Sequence, residues 1–275
     1  LMLLIHQSWS ITNTLGNTTR CRAVRDALVH PRTGVVRTLE GEVRFGLAMY
    51  TSHQGFQGGA CPILRPPLAA TLRGYDAIAR ALNAAEPDGD TPTAESVTAA
   101  TRLLRTTAPD EQAGIRALVL ATDGEPDTCT QPNPSTRDER DAARAQSVAA
   151  VRAAFGAGVR TYVVSVGTDV AESHLRDLAN AGAGTTTARF YRASNPDALT
   201  AAFREIANGT RSCVFRLNGR VDAAQASAGE VRLDGVALGY GGADGWRLRS
   251  AQEIELRGAA CTRVQTTASV LSARF

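Results

Sequence analysis

Apolar residues along this chain recur in two rhythms. Short, nearly unbroken runs occupy residues 1–5, 43–51, 115–121 and 159–166. Runs of that length between polar turns predict strands covered on both faces. Between the runs, apolar positions fall at helical spacing. They are Val24 and Leu28; Tyr75, Ile78, Ala79 and Leu82; Val97, Ala100, Thr101 and Leu104; Val148, Val151 and Phe155; Leu175 and Leu178; Leu199, Ala202, Phe203 and Ile206. Thr18 or Thr19 is placed to cap a helix over about 20–28, and 35–39 adds a turn of helix. Residues 52–67 read as a long Gly- and Pro-rich loop, 68–72 as a short edge strand and 188–192 as a further strand. Alternating strands and helices predict an α/β fold, a doubly wound, mostly parallel sheet flanked by helices.

From Gly209 the helical rhythm stops. Asn218-Gly219, Asp234-Gly235 and Asp244-Gly245 are hairpin turns, and apolar residues alternate between them, as in Val231/Leu233 and Ile254/Leu256. The expected organisation is an α/β domain over 1–208 and a small, antiparallel, all-β appendix over 209–275.

The net charge is +3, and all 30 basic residues are Arg. No basic run or interleaved aromatics mark a nucleic-acid surface. No stretch reaches the roughly 18 apolar residues of a membrane span. Because residue 1 already belongs to a strand, the natural chain is expected to extend further at its N-terminus.

Five cysteines are present. Cys21 shares a helix face with Val24 and Leu28 and reads as a buried free thiol. The other four lie in loops or short strands, and none forms a Cys-x-x-Cys pair, which argues against zinc. Disulfides Cys61–Cys129 and Cys213–Cys261 are the expected pairing, and they imply an oxidising compartment.

Chemistry concentrates at the ends of two strands. Leu-Leu-Ile-His-Gln-Ser-Trp-Ser (3–10) delivers His6, Ser8, Trp9 and Ser10 to the carboxyl edge of the sheet, where α/β folds bind ligands. Gly-Asp-Thr-Pro-Thr-Ala-Glu (89–95) brings Thr91, and Leu-Val-Leu-Ala-Thr-Asp-Gly-Glu-Pro (118–126) brings Asp123. In order and spacing these stretches resemble the metal-ion-dependent adhesion site of von Willebrand factor A domains, Asp-x-Ser-x-Ser followed by Thr and Asp, and the likeness spans about residues 1–208. The cysteines and the β appendix resemble a bacterial exported branch of that family. The resemblance implies a divalent cation (Mg, Ca or Mn) held by Ser8, Ser10, Thr91 and Asp123. It also implies a non-enzymatic adhesion module, extracellular or at the cell surface with the periplasm as alternative. Its partner would be a protein or surface polymer offering a carboxylate, with no nucleic acid involved.

The first motif position departs from the pattern, with His6 where the family has Asp. Three consequences stay open: a dead or very weak metal site, compensation by Asp88, Asp90, Glu125 or Asp127, or a transition-metal site that uses His6. Two other function classes also stand. One is a metal-free scaffold in an intracellular or periplasmic assembly. The other is a serine hydrolase built from His6, Ser8 or Ser10 and Asp123, although no Gly-x-Ser-x-Gly elbow is present.

Overall fold

A computed structural model of the chain describes residues 1–53, 59–106, 115–267 and 269–275. The chain divides into two compact units, the first running to Ala207 and the second from Asn208 to Phe275.

The first unit is built on strands β1 (Met2–His6), β4 (Phe45–Thr51), β5 (Ile63–Thr71), β6 (Ala117–Thr122), β7 (Arg160–Val166) and β8 (Tyr191–Ala193). They form one sheet in the order β5-β4-β1-β6-β7-β8, parallel except for β5. A minimal hairpin, β2 (Thr14–Leu15) with β3 (Thr18–Thr19), follows the first strand. The helices are α1 (Arg20–Val29), α2 (Val35–Leu39), α3 (Tyr75–Asn83), α4 (Thr93–Thr106), α5 (Arg137–Gly156), α6 (Glu172–Ala183) and α7 (Pro196–Gly209).

The unbroken apolar runs are explained by what lies on each side of the sheet. Side chains alternate along a strand, so Leu1, Leu3 and Ile5 join one core with residues of α1, α2, α3 and α7. Met2 and Leu4 join a second core with residues of α4, α5 and α6. Both faces of β1 are dry, and no polar position could be accommodated before His6. Thr19 starts α1 by accepting a hydrogen bond from the Arg22 amide. A reciprocal Thr136–Glu139 capping box starts α5.

Several expectations are corrected. The edge strand expected at 68–72 is the nine-residue β5, so the loop before it is shorter than 52–67; residues 54–58 of that loop lie outside the described residues. Pro66 and Pro67 suggested loop, but an edge strand tolerates prolines that lack a ladder donor. The strand expected at 188–192 is Tyr191–Ala193. Phe155 does not face inward. It is 42% exposed, and α5 buries Ala143, Ser147, Val151 and Ala154 instead. The Phe155 ring lies over Gly184, the left-handed cap of α6, where a Cβ would come within 2.3 Å of it. Cys21 is free, as expected, but only half-buried.

The second unit holds two three-stranded antiparallel sheets. One is β11 (Val236–Leu238), β10 (Glu230–Leu233) and β14 (Leu271–Arg274); the other is β12 (Trp246–Ser250), β13 (Glu253–Leu256) and β9 (Val214–Arg216). Its core gathers Val231, Leu233, Trp246, Ile254 and Leu256. The segment is not all-β: helix α8 (Gly258–Thr266) carries Cys261, which is bonded to Cys213. The helix packs little more than Ala260, Cys261 and Val264 against this core, too thin an apolar stripe to register as periodicity.

Candidate functional site

The sheet order places β1 beside β6, with Ile5 opposite Ala121. The chain turns to opposite faces of the sheet on either side of this pair. Their carboxyl ends therefore flank the crevice in which doubly wound folds bind ligands. His6 ends β1, and Asp123 directly follows β6. Both are 1% exposed. His6 Nδ1 lies 2.5 Å from Asp123 Oδ1.

The second carboxylate oxygen is also engaged. Arg20, the first residue of α1, is 5% exposed. Its Nη1 donates to Asp123 Oδ2 at 3.1 Å and to the Asp123 carbonyl at 3.3 Å. Its Nη2 donates to Asp169 Oδ2 at 2.7 Å. Gly167 leaves room for the guanidinium: its φ is +100°, and a Cβ there would stand 2.9 Å from Arg20 Nε and Nη2. Burial alone would push the Asp123 carboxyl up. Hydrogen bonding and attraction from His6, with hydrogen bonds from Arg20 and Ser10, outweigh it and hold the carboxyl below its ordinary range. Burial opposes the charge on Arg20, and the bonds to Asp169 and Asp123 more than offset it.

The hydroxyls gather at the same place. A short 3₁₀ turn at Trp9–Thr12 follows β1, and Ser8 Oγ lies 3.0 Å from Ser10 Oγ. Ser8 and Thr91 are buried, whereas Trp9 is 58% exposed. Ser10 Oγ, His6 Cε1 and Thr91 Oγ1 all lie within 4 Å of where a Cβ on Gly124 would sit, at 3.4, 3.7 and 3.9 Å. The Thr91 loop is fixed by Asp127, whose Oδ2 accepts from the Thr91 amide at 2.6 Å while the Asp127 amide donates to the Thr91 carbonyl at 3.0 Å. Cys61 and Cys129 are joined and tie the loop before β5 to the loop after β6.

No protein-family model matches the chain, and no curated protein matches it in sequence. Solved structures match it in fold. The PilB minor pilin from Streptococcus sanguinis superposes with a TM-score of 0.55 at 17% identity, over 75% of this chain and 60% of the pilin. The pilus adhesin SpaC from Lactobacillus rhamnosus GG gives 0.55 at 14% identity, over 94% of this chain and 37% of the adhesin. Proximal thread matrix protein 1 from the mussel byssus gives 0.50 at 14% identity, over 80% of this chain and 49% of that protein. This chain thus spans less than two thirds of the length of each. The fold is a doubly wound α/β sheet flanked by helices, shared with these proteins and of the kind the sequence resemblance implies.

In this α/β unit the side chains present do not fit a hard divalent ion. Mg²⁺ and Ca²⁺ require six or more oxygen ligands at close range, several of them anionic or water. Here the one carboxylate at the hydroxyl cluster already accepts from His6 and Arg20. Three of the four carboxylates considered for compensation are committed elsewhere; the fourth, Asp127, gives Oδ2 to the Thr91 amide and keeps a buried Oδ1 with no partner among the described residues. Asp88 pairs with His53 at 2.8 Å, and Asp90 accepts from the Ser52 hydroxyl at 3.1 Å. Glu125 takes Arg144 Nε at 2.7 Å and the Ala171 amide at 2.8 Å. Among the described residues no group of three or more His, Cys, Asp or Glu is arranged for a metal.

The His6–Asp123 pair also has the form of a base and its orienting carboxylate. Yet His6 Nε2 is buried with no hydrogen-bond partner among the described residues. Ser8 and Ser10 bond to each other rather than to that nitrogen. Sequence reasoning missed Arg20 and Asp169. A weak signal existed for the first, because an arginine opening a helix opposes the helix dipole and so needs another reason to be there.

Proposed function

We propose that this chain is a non-enzymatic binding module of the cell exterior. It would engage a protein or surface polymer through the carboxyl edge of its vWA-like sheet. The observation that carries the reading is the meeting of Ser10, Thr91 and His6 around Gly124, beside the exposed Trp9. Exposed tryptophans next to polar groups are frequent energetic anchors of interfaces. A partner carboxylate would meet the Ser10 and Thr91 hydroxyls at a site where Arg20 already balances the Asp123 charge, so it would not be repelled. The fold likeness to a pilus adhesin and a minor pilin agrees with this role. Two disulfides favour an oxidising, extracellular or surface location over the interior of a cell. They weigh against the reading as a scaffold in an intracellular assembly.

The test is a binding screen of the purified chain against arrays of surface proteins and acidic polymers, repeated with two variants. Trp9→Ala, at the carboxyl edge, is expected to abolish the binding found. Arg160→Ala, at the opposite end of β7, is expected to leave it intact. Binding that survives the first change and is lost on the second would place the interface on the wrong edge.

A further inference from the structure

We infer that Arg20 is the resident cation of this site: with His6 it stands in for the divalent ion of metal-bearing adhesion sites, so the site forms and binds without metal. The inference does not depend on which partner binds.

The charge count supports the exchange. The motif this chain resembles sets two carboxylates against a dication. Here one carboxylate has become His6, and a single guanidinium faces the remaining Asp123. Counting only the motif carboxylates and the cation that faces them, charge balances in both arrangements. A lone buried guanidinium is strongly unfavourable, and one placed at a helix start is more so. The surroundings of Arg20 offset that cost with two carboxylates, one carbonyl and a glycine that vacates the space its head fills, leaving only Nε without a partner among the described residues. These four features come from the loop after β6 and the loop after β7, two segments distant in sequence that are shaped around one side chain. His6 completes the arrangement by taking the other carboxylate oxygen at 2.5 Å. A dication approaching the Ser10 and Thr91 hydroxyls would meet a carboxylate with both oxygens engaged and a positive charge behind it.

The experiment is a Mn²⁺ titration by calorimetry and thermal shift on the whole chain after EDTA treatment. The wild type, His6→Asp and His6→Asp/Arg20→Ala are compared. The expected result is no saturable heat and no shift beyond about 1 °C for the wild type at 10 mM Mn²⁺. His6→Asp restores the motif yet keeps the guanidinium, and should bind at least tenfold more weakly than the double variant. The double variant should give saturable heat and a metal-dependent rise of several degrees, because a ligand that binds only the folded state stabilises it. Saturable Mn²⁺ binding by the wild type overturns the inference, and so does equal affinity in the single and double variants. If the double variant does not fold by circular dichroism, the wild-type titration decides alone: a flat response supports the inference and a saturable one overturns it. Failure to find a partner in the array screen leaves all of these readouts unchanged.

Discussion

Replacing Asp123 by alanine separates a self-contained ion network from a site that awaits a metal. In the folded chain the carboxylate takes His6 Nδ1 on one oxygen and Arg20 Nη1 on the other, with all three side chains almost wholly buried. Removing it strands two polar groups away from water. Breaking a buried ion pair from one side costs about 3–5 kcal/mol. Arg20 keeps Asp169, which is half-exposed, so the lower part of that range, about 3 kcal/mol, is expected. For a unit of this size such a loss lowers the melting temperature by roughly 6–12 °C. The assay is urea unfolding in EDTA at pH 7. Asp123 titrates below its ordinary 3.8 in the folded chain. Its contribution is therefore complete above that value and is lost only as pH falls through the folded pKa. If the carboxylate were instead an unpaired ligand waiting for an ion, removing it in EDTA would leave stability unchanged or raise it. A loss below 1 kcal/mol would therefore refute the reasoning. The Arg20→Met/Asp123→Ala pair supplies a further check, because groups in one network are non-additive and the second change should cost less than it does alone.

Two other outcomes are expected. His174 is buried on α6 with neither ring nitrogen hydrogen-bonded among the described residues, and burial lowers its pKa to about 4 from 6.5. The unfolded chain takes up that proton first, so stability is full above about pH 6.5 and declines towards pH 4, with about 2 kcal/mol lost at pH 5. His174→Leu should flatten that slope in urea midpoints taken at pH 7 and pH 5, and equal slopes in both proteins would count against it. The Cys61–Cys129 bond closes a separation of 68 residues, and its removal by the double serine variant should cost about 2–4 kcal/mol. Guanidinium unfolding without reductant measures this, and a change under 1 kcal/mol would contradict it.

The sheet was legible because its strands are covered on both faces, and an apolar run such as 1–5 has few other uses. The site hydroxyls were legible because the end of β1 fixes where Ser8 and Ser10 emerge and the start of α4 fixes Thr91. The partners of Asp123 were not. Arg20 is brought to it by the packing of α1 and Asp169 by the loop after β7, and neither spacing nor composition records that meeting. The same holds for Phe155, whose helical phase suggested the core until the cap at Gly184 gave its ring a surface to cover. Helix α8 escaped notice because its buried face is nearly all small residues.

The covalent tie between Cys61 and Cys129, with the Thr91–Asp127 bonds beside it, has a kinetic consequence. Cys61, Thr91 and the segment from Asp127 to Cys129 are thereby fastened to one another at one edge of the sheet. If the module docks a partner there as proposed, these anchored positions have little freedom to surrender, and association proceeds close to rigid-body rates. Reduction of that single bond should then slow association while leaving every contacting side chain in place.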